Sequence, residues 1–293
     1  MKKHQILSFE ALFQFCQFMV QRGIQHIRIT GGEPLMRQGV VHFIAELQQL
    51  RKLGLQQISM TTNGHYLKKY AKELKLAGLD NINVSLDSVD AAGFYQLTQK
   101  QLAPVFEGIQ AALAVGLPLK INSVLIQGQN HEQIIPLVQW AKNLGVPLRF
   151  IEFMPLDGDG HWTTAHVVSE QQILDTLAST FNVQAIQEQS RSPARQYLVD
   201  GHPIGIISTI THAFCGECDR VRLTAQGEFY NCLFATQGLA LKTDIEQLQT
   251  HMDVLPDELE HKLETYIWNK KAGFHAIQAQ QTHRKISMHM IGG

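Results

Sequence analysis

Four cysteines in 293 residues are too few to staple a chain of this length, and three of them crowd between positions 215 and 232. That distribution excludes a disulfide framework and points to a metal in a reducing cytoplasm. An excess of either charge is missing as well: 25 Lys and Arg face 26 Asp and Glu, for a net charge of −1. Without a broad basic field, nucleic acid and acidic membrane surfaces are excluded as general partners, and any anion site has to be local. No run is long and apolar enough to span a bilayer. Met1-Lys2-Lys3 and the apolar residues after it imitate a signal peptide, but Glu10, Gln14 and Gln17 interrupt the run at helical spacing. What remains, 44% hydrophobic and 17% charged, is the composition of a soluble globular chain with one substantial core.

The chain opens on an amphipathic helix. Ser8 is placed to cap it, Glu10 sits in the first turn, and Leu12, Phe13, Cys16, Met19 and Val20 recur at steps of three and four. Cys16 on that face reads as a core residue without chemistry. Gly23 ends the helix and a strand over 26–30 follows. The unit then repeats: helix 40–53 with strand 57–62, helix 67–77 with strand 81–87, helix 104–115 with strand 119–125, and helix 133–143 with strand 148–154. Five strands alternating with helices predict a parallel sheet, because right-handed crossovers lay each strand beside the last. After Met154 the rhythm breaks at an Asp- and Gly-rich link over 156–165. Beyond it come a helix over 170–181 capped by Ser169, short β segments at 196–199 and 205–210, and helical spacing at 245–248 and 258–268. The prediction is an α/β half-barrel over residues 1–155 and a smaller α+β extension over 156–293.

In parallel α/β folds the C-terminal strand ends form the active face, so polar residues there carry weight. Every predicted strand has them. The first runs into Arg28-Ile29-Thr30-Gly31-Gly32-Glu33-Pro34, where paired glycines bare the backbone and Glu33 can hold a cationic amine. The second ends in Thr61-Thr62-Asn63-Gly64. By period-two alternation Asn83, Ser85 and Asp87 share one side of the third, Lys120 and Asn122 a side of the fourth, and Glu152 and Met154 a side of the fifth. Each alone reads more readily as a structural residue. Five strands marked at the same end read as a site.

Cys215 and Cys218 form a C-x2-C knuckle. Residues 220–224, a turn at 225–227 and residues 228–233 read as a hairpin that returns Cys232 to its side. Alternation puts Cys218, Arg220 and Arg222 on one face, where two guanidiniums beside a metal suit a phosphate chain. Spacing leaves the metal open. His212 would complete a four-ligand zinc site, whereas an iron-sulfur cluster on three cysteines would leave one iron open to a substrate.

Residues 28–34, 61–64, 81–87, 148–154 and 214–234, in this order and spacing, resemble the GTP 3′,8-cyclase family, radical S-adenosylmethionine enzymes that open molybdenum cofactor (molybdopterin) biosynthesis. The likeness runs the length of the chain to Gly292-Gly293. It implies an incomplete (β/α)6 TIM-like barrel missing its first strand, with a C-terminal α+β extension. It implies a 4Fe-4S cluster on Cys215, Cys218 and Cys232 whose open iron meets the guanine of GTP, which decides against zinc. Arg28, Thr61, Lys120, Arg220 and Arg222 match family positions that bind GTP. Gly32, Ser85 and Met154 match positions that bind S-adenosylmethionine, with Glu33 beside them, and Gly292 and Gly293 match a tail that reaches the active site. The activity implied is a lyase-type radical conversion of GTP to (8S)-3′,8-cyclo-7,8-dihydroguanosine 5′-triphosphate, with a homodimer as a candidate state.

One part of the family pattern is absent. A C-x3-C-x2-C motif holds the family's first 4Fe-4S cluster upstream of the helix that starts at Ser8, and these residues contain no such motif; Cys16 stands alone. The chain is therefore expected to bind GTP better than it converts it. The strand at 26–30 is expected to be an open sheet edge, prone to aggregate or to pair with a partner. A gene fragment or a late start codon is the economical explanation. Two readings from other classes stand beside the enzyme: a GTP-binding or regulatory module without radical chemistry, and a zinc-stabilised structural protein.

Overall fold

The computed structural model describes residues 6–156, 162–186, 193–212, 218–235, 237–248 and 256–270. Half of the predicted link over 156–165 and three of the predicted site residues, Cys215, Gly292 and Gly293, lie outside the described residues.

Helix α1 (Phe9–Gln21) starts where Ser8 Oγ accepts the Ala11 N–H at 3.1 Å, satisfying one of the orphan donors of a helix start. Then β1 (His26–Ile29), α2 (Val40–Leu47), β2 (Gln57–Thr62), α3 (Leu67–Leu76) and β3 (Asn81–Ser85) follow the predicted rhythm. Helix α2 is shorter than expected, because residues 48–53 tighten into a 3-10 helix. There Gln48 Nε2 donates to the Gly78 carbonyl at 3.1 Å, and Arg51 binds Asp80 at 2.8 Å. These contacts between distant residues are not written in the local pattern. Next come α4 (Ala91–Thr98), α5 (Ala103–Ala114), β4 (Leu119–Leu125), α6 (Ile134–Leu144) and β5 (Leu148–Glu152). Helix α4 has no predicted counterpart. Phe94 is its one buried side chain, so its periodicity is thin, and it is held instead by Asp90 accepting from Gly93 N at 2.6 Å.

Helix α7 (Glu170–Ala178) begins at Ser169 with a capping box: Ser169 Oγ and the Gln172 side chain serve each other's backbone N–H groups. The remaining elements are β6 (Val183–Ala185), β7 (Arg195–Val199), β8 (His202–Ile207), β9 (Arg222–Leu223), β10 (Glu228–Tyr230), β11 (Leu239–Ala240), α8 (Lys242–Gln247) and α9 (Pro256–Trp268).

One sheet of eight strands runs β1-β2-β3-β4-β5-β8-β7-β6. Strands β1 to β5 are parallel in chain order, β8 adds to β5 as a sixth parallel strand, and β7 and β6 finish the sheet antiparallel. The segments predicted at 196–199 and 205–210 as part of a separate extension therefore belong to the main sheet, and β5 and β8, on either side of residue 155, are hydrogen-bonded neighbours. A detour through α7 and an antiparallel hairpin hides β8 from a rhythm that counts only helix and strand. Among the described residues strand β1 pairs with β2 alone and lies at the edge of the sheet.

Helices pack on one face of the sheet around Ile58, Met60, Ile82, Val84, Ile121, Phe150, Ile204 and Ile206. A second core joins α1, through Leu7, Phe15, Phe18 and Met19, to Phe229 of the hairpin and to Ile245, Leu259 and Leu263 of the last helices. Leu7 N also donates to the Ala225 carbonyl in the hairpin turn at 2.7 Å. Helix α1 thus ties the cysteine hairpin to the sheet. No helix among the described residues is long and apolar enough to cross a membrane.

Candidate functional site

Because alternate residues of a strand point to opposite faces, the residues between the core positions line the face away from the helices. Strand registers stack them in tiers. Arg28, Ser59 and Asn81 are adjacent across β1 to β3, and Thr61, Asn83 and Lys120 across β2 to β4. Ser85, Asn122, Arg149 and Gly205 form the next tier across β3, β4, β5 and β8. Predicted residues Arg28, Thr61, Lys120 and Ser85 are thereby gathered on one polar surface. Arg149 was missed. Its signal is the alternation with Leu148 and Phe150 in β5, near the start of the strand and away from its C-terminal end. A Cβ on Gly205 would lie 3.1 Å from Arg149 Cγ, so the glycine leaves space for the arginine stem.

Three cations share this surface, and the charge of a fourth, Arg220, reaches it. Burial lowers the Arg28 pKa, and the charges of Arg149 and Arg220 lower it further. Lys120 is lowered by burial and then by Arg149 and Arg28, and Arg149 by burial. Arg28 keeps contact with water while protein crowds its charge, as a side chain does on the wall of a recess. Its Nε donates to Ser59 Oγ at 3.2 Å. Among the described residues no ion pair engages Arg28, Lys120 or Arg149. In the same tiers Asn83 Nδ2 and Asn122 Oδ1 are buried without a hydrogen-bond partner. An unmet buried donor or acceptor costs about 1–3 kcal/mol, which a polyanionic ligand with polar edges would recover. Unpaired cations beside an unmet donor and acceptor fit such a ligand.

The loop after β1 is built for shape. Gly31 has φ +141°, a backbone state that L side chains rarely adopt, and a Cβ at Gly31 or Gly32 would meet no atom within 4 Å. Glu33, read as a possible amine holder, is largely committed to the protein. Its carboxylate accepts from Leu35 N at 3.0 Å, Thr62 Oγ1 at 2.8 Å and Asn63 N at 2.8 Å, binding the β1 loop to the β2 loop.

The pairing of Glu152 with Met154 does not survive. Strand β5 ends at Glu152, whose fully buried carboxylate falls on the opposite side from Arg149 and accepts from Glu170 N, Ile210 N, Thr211 N and Thr211 Oγ1. Met154 has left the strand and packs with Leu156, Ile210 and Phe234. Glu170 extends the network, accepting from Tyr197 Oη at 2.6 Å and Ser208 Oγ at 2.8 Å and lying 3.1 Å from His212 Nδ1. His212, the candidate fourth zinc ligand, is thus turned toward a carboxylate. Asp87, past the end of β3, accepts from Val124 N at 2.8 Å, and burial pushes its carboxyl up to about 6.

In the hairpin, β9 pairs with β10 through Tyr230↔Arg222 and Phe229↔Leu223. Burial pushes the Cys218 thiol up, but Arg220, through its backbone N–H, its charge and its guanidinium, together with the charge of Lys270, outweighs burial and leaves the thiol below its ordinary value. Cys232 Sγ accepts from Phe234 N at 3.4 Å. Two half-buried sulfurs that receive N–H groups have the chemistry of thiolate ligands. Cys16 does not: burial alone raises it to about 12. Among the described residues no three His, Cys, Asp or Glu side chains gather as a metal set, with Cys215 outside them.

Comparison with known proteins bears on this arrangement. Residues 1–141 match a model of the Radical SAM superfamily, and residues 146–276 match one described as Molybdenum Cofactor Synthesis C. The chain is similar to proteins named GTP 3′,8-cyclase from Staphylococcus haemolyticus (strain JCSC1435) and Staphylococcus carnosus (strain TM300), each 35% identical over 303 residues, covering 99% of this chain and 87% of the relative. Among solved structures it is similar in fold to Streptococcus suis SuiB bound to S-adenosylmethionine, with a TM-score of 0.61 at 14% identity, covering 86% of this chain and 60% of that one.

Proposed function

This chain belongs to the GTP 3′,8-cyclase family of radical S-adenosylmethionine enzymes, and from that premise we propose that its polar sheet face and cysteine hairpin together hold GTP. The observation that carries the reading is the set Arg28, Lys120 and Arg149 on one sheet face, where burial lowers all three and neighbouring cations, Arg220 among those acting on Arg28, lower Arg28 and Lys120 further. A triphosphate relieves that repulsion, and Arg220 and Arg222 offer planar forks for its oxygens. Thr61 and Asn83 lie in the same tier as Lys120, so they can accept or donate to the nucleoside.

Cys215, Cys218 and Cys232 would hold a 4Fe-4S cluster, a role supported for the two described cysteines by the N–H groups at their sulfurs. Gly32, Ser85 and Met154 would line the S-adenosylmethionine site, with Glu33 holding the loop in place. When bound, cluster and S-adenosylmethionine supply the radical chemistry of the family. The protein's own part is to bind and orient the triphosphate and to keep water from the purine. Gly292 and Gly293 remain candidates for a tail at this site. The work divides near residue 155: most of the polar face comes from the strands before it, and the hairpin, in a separate three-stranded sheet, comes after it. The place of β1 at the edge among the described strands supports the finer reading of a partial (β/α)6 barrel, and that edge is where a second copy would pair.

These residues include no C-x3-C-x2-C motif, so the decisive test is one of binding. Anaerobic reconstitution with iron and sulfide should give cluster absorbance and a chain that binds GTP. Arg220→Ala and Arg222→Ala should each weaken that binding by about 1.5–3 kcal/mol. Zinc retained without cluster absorbance, or unchanged affinity in both variants, would overturn the proposal.

A further inference from the structure

Helix α9 ends against the cysteine hairpin, at the turn that joins a metal-ligand candidate to a nucleotide-ligand candidate. Lys270 Nζ donates to the Cys218 carbonyl at 2.6 Å and to the Arg220 carbonyl at 3.5 Å. The returning strand is gripped by the same helix end: Asn231, buried beside Cys232, donates its Nδ2 to the Tyr266 carbonyl at 2.7 Å. Tyr266 in turn packs edge-on against Phe229 and donates its hydroxyl to the Gln237 carbonyl at 2.8 Å. One helix terminus therefore touches the neighbours of both described cysteines.

Resting on the function proposed above, we propose that Lys270 is a positioning residue that clamps the Cys218-Asp219-Arg220 turn, coupling cluster retention to GTP binding. The step from thiolate to guanidinium is held on one side by the Arg220 N–H and guanidinium at the Cys218 sulfur, and on the other by Lys270 at the Cys218 and Arg220 carbonyls. A single ammonium on these two carbonyls fixes the backbone of the turn without itself occupying the sulfur or the guanidinium. Lys270 also adds positive charge behind the turn without competing for the phosphate oxygens. Loss of the ammonium removes the hold on the backbone, so the turn that carries sulfur and guanidinium moves more freely.

The test compares full-length parent chain, Lys270→Met, Lys270→Arg and, as a control on the same helix, Lys262→Met, whose lysine pairs with Asp244 and Glu258. Amide exchange over residues 218–224 is read on the metal-free chain, and GTP affinity and cluster loss to a chelator on reconstituted protein. Lys270→Met should speed exchange, weaken GTP and hasten cluster loss by about tenfold each, the scale of one charged hydrogen bond. Lys270→Arg should recover most of each, and Lys262→Met should match the parent. Exchange within twofold of the parent in Lys270→Met, an equal loss in Lys262→Met, or faster exchange without weaker GTP binding would overturn the clamp. A parent chain that takes up neither iron nor GTP overturns the proposed function instead, and the exchange measurement still decides the clamp.

Discussion

Glu152→Gln isolates one buried carboxylate. Glu152 is fully buried, and its Oε1 accepts from Glu170 N at 3.1 Å and Thr211 Oγ1 at 2.5 Å, while Oε2 accepts from Ile210 N and Thr211 N, both at 2.9 Å. Glutamine keeps the shape but turns one oxygen into an NH2 donor. If Oε2 is replaced, two backbone N–H groups face a donor. If Oε1 is replaced, one does, and the Thr211 hydroxyl can rotate to accept. The second arrangement is cheaper, so the variant should adopt it. Its cost is one orphaned buried N–H, about 1–3 kcal/mol, and weaker bonds from the two donors that lose a charged acceptor. The expected loss is about 2–4 kcal/mol, a fall of roughly 5–10 °C in Tm for a chain of this size. Urea denaturation of the metal-free chain by circular dichroism measures it. A loss below about 0.5 kcal/mol would refute the reasoning, since it would mean that these donors find water or other acceptors at no cost.

Arg149→Met should weaken GTP by about 1.5–3 kcal/mol and raise the Tm of the ligand-free chain, because it removes a half-buried cation that repels Arg28 and Lys120; calorimetry and a thermal scan read the two effects. Asp87→Asn tests a pH dependence. A carboxyl raised to about 6 in the fold binds an extra proton only when folded, so the parent loses stability as pH rises from about 4 to 6. Asparagine can still accept from Val124 N and escapes that loss, so denaturation should show the variant about 1–2 kcal/mol more stable than the parent at pH 7.5, with no such gain at pH 4.5. Gly108→Ala places a Cβ 2.5 Å from the Gly64 carbonyl oxygen and 2.9 Å from Leu67 Cβ. Backbone displacement at about 1–3 kcal/mol should outweigh about 1 kcal/mol of helix propensity, and a higher urea midpoint would contradict this.

Where local pattern and tertiary packing agree, the chain was legible. Strands 57–62 and 119–125 appear with their predicted bounds, and Ser8 and Ser169 cap helices as read. The helix over 40–53 was misjudged because Gln48 and Arg51 take partners about 30 residues away. Arg149 was overlooked because its meaning comes from Arg28 and Lys120, on strands far from it in the chain. Glu152 was drawn toward the site by alternation that ends where the strand ends.

The alternating α/β rhythm, the family and the cysteine hairpin were all readable from spacing along the chain. Only the tertiary structure decided that β8 joins β5 as a sixth parallel strand, that Glu152 and His212 belong to a buried anchoring network, and that Lys270 meets the Cys218 turn. The physical reason is that hydrogen bonds and charge repulsion depend on distance through space, whereas periodicity records only which side of an element a residue occupies.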